Sequence, residues 1–570
     1  MSTAADILRE ENAMGSWPRR LLHVDTLTSY EWQPGNRYGP ATEPRYAAIT
    51  YTWGRWKLDG NERNEVSAIP VRGVPWDIPR VNPLRFTVQE LEAVVTQART
   101  APPSMATTAG VPQCVDFVWL DVACIDQREN NARAASEMGR QANIFRGASF
   151  VYAWLSAISI QQLNQIFGAR QAFESGRDPD AAFGALSTLT SDPWFSSLWT
   201  LQEAFLRTDA VFFSRDAQMA LAPQVSRNPS GEFHPTCFTL RAVIYFVNAL
   251  KMSEESGMAT TRPWSDPARQ AYDQAVALGV KTGLYALSLR NAVGTFILAQ
   301  HRKAERKEDR VYGIQQIFSF RLGKTAPGWT GRIYSLEELE DEFAKQLLVT
   351  YPVQSQMHVF TKAAKFSTAW RLNESSVFPK MNEPYFPWIG VRKMVDEDRR
   401  QVVTATCELW VEETDGILWG WFRGKVCDFD FWMKRCKEAD DDLIGQYGQL
   451  PTLTAFLDVT DELNNCPEYG APASDIYSQR RLIERLHSEF PSGGLKVLEL
   501  GMRDFPPDDY DSDFDSGGPL THGLLLVPKQ APNFQYYHRV GFCTWYRGSF
   551  SSQKQSELAS ESKELSGRFG

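Results

Sequence analysis

Three short blocks limit what this chain can fold into: YAAITYTWG at 46–54, FVWLDVACIDQ at 117–127 and PWFSSLWTLQEA at 193–204. The first two are apolar, β-prone runs that each stop at a glycine or a carboxylate. The third opens on proline and carries helical periodicity that ends in a glutamate. Between them lie a helical pattern with Phe86, Leu91, Val94 and Val95, an amphipathic pattern with Met138, Ala142, Phe145 and Ala148, the strand candidate FVYAWL at 150–155, and a further short run, AVFFS, at 210–214. Strands alternating with helices predict a parallel sheet, because each connection is long enough to cross back over the sheet. The expected class is α/β: a small parallel sheet flanked by helices, then a helical region and a mixed, β-rich C-terminal region.

With 570 residues the chain exceeds one core, and roughly 150 residues per domain predicts about three or four units. Residues 1–44 read as a loose leader and a first strand around RRLLHVDTL, and 45–215 as the α/β domain. Residues 216–354 read as mainly helical, with Ser335 and Glu338 in capping-box spacing ahead of Leu339, Phe343 and Leu347. From 355 to 550 the stretches CELWVEE, ILWGWF, HGLLLVP and RVGFCTWY predict strands. The acidic, turn-rich segment 504–518 and the polar segment 551–570 predict disorder, the latter as a tail.

Composition narrows the function. A net charge of -9 gives no basic footprint for nucleic acid, and no charge-free apolar run approaches the ~18 residues of a membrane span. No signal peptide is recognisable at the N-terminus, so a soluble, cytoplasmic protein is expected. The cysteines contain no CxxC pair and the histidines no HExxH, so free thiols are expected and no metal site.

In an open parallel sheet, ligands collect outside the carboxyl ends of the strands. Trp53 and Gly54 end the first strand and Asp121 follows the second, so these residues should meet at one edge. Gly54 allows close backbone approach or simply a turn. Asp121 either contacts a ligand or fixes its loop, since a carboxylate after FVWL is costly to bury unpaired. Asp126 and Gln127 read as loop-shaping, and Cys124 as a small buried hydrophobe. A helix is expected from Pro193, capped by Asp192. On it Trp194, Leu198, Leu201 and Phe205 form one apolar stripe, while Phe195, Trp199 and Glu203 descend another. Glu203 can then face a ligand with an aromatic ring one turn away, or it can form a salt bridge or loop hydrogen bond.

These blocks resemble the fungal heterokaryon-incompatibility (HET) domain, whose pattern is roughly YxALSYxWG, then WIDaxCINQ, then WFxRxWxxQE. This chain has YAAITYTWG, WLDVACIDQ and WFSSLWTLQE in the same order, with IFRGASFVYAWLS at 144–156 between the second and third. It departs at Ser197, where the family usually has Arg, at Asp126 in place of Asn, and at Glu137, Met138 and Gln141. HET domains are in turn similar to Toll/interleukin-receptor (TIR) domains. By that likeness Glu203 falls on the glutamate used by TIR-type NAD glycohydrolases.

The resemblance implies fungal nonself recognition and programmed cell death. It makes NAD a substrate rather than a cofactor, with Glu203 catalytic and Trp53, Gly54, Asp121 and Trp199 lining the substrate. Self-association through the HET domain is implied, with a recognition partner the sequence does not name. The alternative is a non-catalytic module that signals by homotypic association.

Overall fold

The computed structural model describes residues 4–103, 113–128, 131–174, 179–227, 233–255, 265–288, 292–377, 403–434, 453–458, 486, 488–490, 494–503, 520–546 and 552–570. The segment 504–518 lies outside the described residues. The chain divides into two compact units, Met1–Glu340 and Asp341–Gly570.

The first unit is built on one sheet of eight strands: β1 Arg20–His23, β2 Thr28–Gln33, β3 Arg37–Tyr38, β4 Ala41–Thr42, β5 Tyr46–Thr50, β6 Phe117–Trp119, β7 Phe150–Trp154 and β8 Val211–Phe213. Their order is β4-β3-β2-β1-β6-β5-β7-β8. The four strands expected from the apolar runs are parallel, with β5 between β6 and β7, and β8 outside β7. The sheet is larger than expected, because β1 adds antiparallel to β6 and leads into an antiparallel meander through β2, β3 and β4.

The connections between parallel strands carry the helices. They are α2 Val88–Gln97 after β5; α3 Asp121–Cys124, α4 Ala132–Met138 and α5 Gln141–Gly147 after β6; and α6 Ile160–Glu174, α7 Pro179–Thr190 and α8 Leu198–Leu206 after β7. The strand order reverses at β5, so in order of appearance the parallel strands run second, first, third, fourth. In doubly wound sheets that switch point opens a crevice at the carboxyl end of the first strand. Residues of β5 alternate between the two faces. The Tyr46 hydroxyl reaches the Ile144 carbonyl of α5 at 2.7 Å. Tyr51, just past the strand, turns the other way onto Phe86 and Trp154.

Three local expectations are corrected. Residues 4–14 form a helix, α1, rather than a loose leader, with Met14 buried and Glu11 paired to Arg321 at 2.8 Å. The helix expected around Met138–Ala148 is broken into α4 and α5 at Gly139, where a Cβ would lie 2.6 Å from the Thr325 carbonyl oxygen. The helix expected from Pro193 begins as a 3₁₀ turn, Pro193–Ser196, capped by Asp192, which accepts the Trp194 N–H at 2.9 Å. Ser197 is then extended and α8 starts at Leu198. Trp194 and Phe195 therefore lie off the helix that carries Trp199 and Glu203.

A hairpin of β9 Leu221–Arg227 and β10 Phe233–Cys237 follows β8. Helices at Leu240–Glu255, Asp266–Lys281, Leu284–Ser288 and Ala292–Ala299 come next, and the Ser335–Glu338 capping box forms as expected.

The second unit holds the small pair β11 Val359–Phe360 and β12 Ser376–Val377, then β13 Val403–Ala405, β14 Glu408–Thr414, β15 Ile417–Asp428, β16 Leu453–Leu457, β17 Lys496–Arg503, β18 Leu520–Ala531, β19 Phe534–Tyr546 and β20 Lys563–Phe569. Its β-rich character matches the sequence pattern. The expected tail at 551–570 does not hold, because Ser552–Glu561 is helical and β20 pairs with β15 from Gly420 to Val426. Phe569 is fully buried beside Phe422. β15 also pairs with β17, and β19 meets β20 through Tyr537 and Phe569, so β15, β17, β18, β19 and β20 form a closed ring.

Candidate functional site

At the carboxyl end of β5 the chain passes through Thr50, Tyr51, Thr52, Trp53 and Gly54. The Trp53 indole donates its Nε1–H to Asp121 Oδ2 at 2.6 Å. Asp121 opens α3, and its other oxygen accepts the Val122 N–H at 2.7 Å. Both oxygens are thus engaged. Burial nevertheless dominates the balance and raises the Asp121 pKa.

Glu203 reaches the same strand end from α8. An indole N–H can only donate, so the Trp194 Nε1–H goes to Thr50 Oγ1 at 2.9 Å. The Thr50 hydroxyl is then oriented to donate to Glu203 Oε2. Glu203 Oε1 accepts no hydrogen bond, and no cation pairs with Glu203 among the described residues. The salt-bridge role considered for it is therefore absent from this structure. Burial first, and the charge of Asp121 second, push its carboxyl up to about 8. Two half-buried carboxyl groups near enough to repel one another cannot both ionise cheaply. Asp121 is tied at both oxygens, while Glu203 keeps one oxygen open.

The buried Thr52 hydroxyl at this strand end has no hydrogen-bond partner among the described residues. The Tyr51 hydroxyl lies close to Asp121, and its pKa is raised by burial and then by that carboxylate.

Trp53, Asp121 and Glu203 are therefore gathered at the carboxyl end of β5. Gly54 begins a 3₁₀ turn next to it without positive φ, and the Glu305 carboxylate lies 3.4 Å from where its Cβ would stand. Trp199, one turn before Glu203 on α8, lies beside the Asp309 carboxyl group. Asp126 shapes its loop as expected, accepting from Arg128 Nε at 2.9 Å and Asn131 at 2.7 Å. Cys124 is buried, and burial pushes its thiol up to about 12, far from a thiolate nucleophile at neutral pH.

The model of the heterokaryon incompatibility protein (HET) family matches residues 46–203. This segment is a HET domain. No curated protein and no solved structure matches the chain. The match begins at Tyr46, the first residue of β5, and ends at Glu203. Adjacent residues of its last block play different parts. Gln202 is fully buried, bonding Gln141 Oε1 at 3.2 Å and the Gln316 N–H at 3.1 Å, whereas Glu203 meets Thr50 at the end of β5.

Sequence reasoning missed several residues that hold this arrangement. Thr50 sits inside an apolar run and shows its role only through Trp194. Arg302 lies beyond the HET domain and is buried, yet its guanidinium donates to the carbonyls of Trp194 at 3.2 Å, Ser197 at 3.0 Å and Thr282 at 2.5 Å. Arg55 bonds Ser196 Oγ at 3.2 Å, the Ser196 carbonyl at 2.8 Å and the Lys303 carbonyl at 3.3 Å. Lys303 also pairs backbone to backbone with Ser196 and Leu198, which keeps Ser197 extended. Among the described residues no group of three or more His, Cys, Asp or Glu is placed to hold a metal ion, and no helix is long and apolar enough to cross a membrane.

Proposed function

We propose that this HET domain protein acts in fungal nonself recognition as a cell-death effector that cleaves the nicotinamide–ribose bond of NAD when assembled into oligomers. The observation that carries the reading is the half-buried Glu203, held at one oxygen by Thr50 and open at the other, inside a crevice that also holds Asp121 and the Trp53 ring.

Breaking the ribosyl C–N bond sends its electron pair to the pyridinium ring and leaves a cationic, oxocarbenium-like ribosyl centre. A fixed carboxylate beside that centre stabilises the charge as it develops, and water then attacks the ribosyl carbon. Glu203 Oε1 suits that role, while Asp121 orients Trp53 as an aromatic wall. The raised pKa of Glu203 gives the free protein a largely protonated acid at neutral pH. The positive pyridinium ring of bound NAD favours its ionised form.

Purified full-length protein, with and without crowding or induced clustering, should consume NAD and release nicotinamide, and Glu203→Gln should not. Persistent inactivity under every assembly condition would favour a non-catalytic module that signals by homotypic association.

A further inference from the structure

Arg55 and Arg302 stand beside the start of α8 and repel one another. Neither has a carboxylate partner among the described residues. Every acceptor they use is a neutral carbonyl or hydroxyl oxygen of Trp194, Ser196, Ser197, Thr200, Thr282 or Lys303. Glu305 lies nearby against Gly54 but is exposed and pairs with neither guanidinium. A guanidinium stays protonated in proteins, so two positive charges persist here without a counter-charge. Burial and the charge of Arg55 both weigh on Arg302, lowering its pKa to about 9.

The two cations differ in what they can still bind. Arg302 is buried, with each of its three nitrogens donating to a carbonyl or hydroxyl oxygen around it. Arg55 is half-buried, and three of its N–H groups are used; Nε and one hydrogen of Nη1 make no hydrogen bond. Arg55 is also two residues from Trp53, whose indole N–H meets Asp121, so one short turn after β5 carries both side chains. The adjacent α8 N-terminus adds positive potential, and Ser197 supplies no side-chain cap to offset it.

We propose that Arg55, backed by the buried charge of Arg302, is an anion site at the mouth of the crevice that binds the phosphate groups of a nucleotide ligand. This rests on the reading of the crevice as a dinucleotide site and supplies the element that reading lacks, a counter-charge for the pyrophosphate. The carboxyl groups of Glu203 and Asp121 then face the ribose end, and the guanidinium pair the phosphate end, so the crevice is polarised along its length.

Calorimetric titration with inorganic pyrophosphate and with ADP-ribose, on wild type, Arg55→Gln, Arg55→Lys and Glu203→Gln, tests the proposal. Wild type and Glu203→Gln should bind pyrophosphate alike, with affinity falling as salt rises. Arg55→Gln should weaken both ligands roughly 10- to 100-fold, the range for losing charge-assisted hydrogen bonds. Arg55→Lys keeps the charge without the forked donors and should lie between. Arg55→Gln also loses contacts to Ser196 and Lys303, so binding is measured well below its melting temperature, and Arg55→Lys decides the matter if the glutamine variant does not fold. No pyrophosphate binding by wild type, or equal affinity in wild type and a folded Arg55 variant, overturns the anion site even where NAD is cleaved. Arg55-dependent pyrophosphate binding without NAD turnover would instead leave the site standing and remove the hydrolase reading.

Discussion

The Trp53 indole N–H meets Asp121 Oδ2 at 2.6 Å, which ties the chain leaving β5 to the first turn after β6, its parallel neighbour. The carboxylate that looks like a ligand group in sequence serves first to fix an aromatic wall. Trp53→Phe keeps the ring and deletes the donor, leaving a buried carboxyl oxygen unsatisfied. Chemical denaturation should show a loss of about 1–3 kcal/mol at pH 7, and a smaller loss where Asp121 is protonated.

Glu203→Gln should abolish NAD cleavage and any toxicity on overexpression, because a neutral amide cannot stabilise a cationic ribosyl centre as a carboxylate does. No cation depends on Glu203 for its charge among the described residues, so the variant should fold normally. Nicotinamide release and melting temperature, measured on the same sample, check both halves; a folded variant with undiminished turnover removes Glu203 from the mechanism.

The raised pKa of Glu203 fixes two signs. Its folded value of about 8 lies above the ordinary 4.5, so between these pH values the folded state holds a proton the unfolded state has released. Stability from this group is full below about 4.5 and is lost as pH rises toward 8, with a slope of at most about 1.4 kcal/mol per pH unit. Glu203→Gln should lack that slope in denaturation experiments from pH 5 to 8. For catalysis by the carboxylate form, kcat/KM should rise with pH and level off above about 8.

Thr50→Val keeps the shape of the side chain and removes the hydroxyl between Trp194 and Glu203. The Thr50 hydrogen bond favours the ionised carboxylate, so its loss should raise the Glu203 pKa further. The pH–rate profile should shift to higher pH, with lower turnover at pH 7. An unchanged midpoint would show that Thr50 does not govern the ionisation of Glu203.

Leu198 is buried at the start of α8, and its side chain fills the space against Gly313, where an added Cβ would lie 3.1 Å from Leu198 Cγ. Leu198→Ala should cost roughly 2–5 kcal/mol, read by thermal or chemical unfolding. Native-like stability would mean that this face of α8 is not core.

The parallel core was legible because β5, β7 and β8 are buried along their whole lengths, and such strands are continuous apolar runs between turn signals. The crevice residues Trp53 and Asp121 were legible for the same reason, as the first polar or irregular positions beyond those runs. The break at Ser197 was not, because local periodicity favours a helix from Pro193 and the backbone pairing that prevents it comes from Lys303. Arg302 was equally silent, since its partners are carbonyl oxygens, which leave no pattern in side-chain spacing. At 563–569 only Leu565 and Phe569 are apolar, too few to mark a strand whose pairing is with residues far back in the chain.

That late strand sets the order in which the second unit can be completed. β15 has an open edge until β20 has been synthesised, because the ring closes only when Lys563–Phe569 inserts between β15 and β19. On the ribosome, β15 and its hairpin partner β14 emerge early and must wait with unpaired backbone groups exposed, the condition under which sheets associate with the wrong neighbour. A nascent chain arrested before residue 563 is therefore the form of this protein most in need of a chaperone.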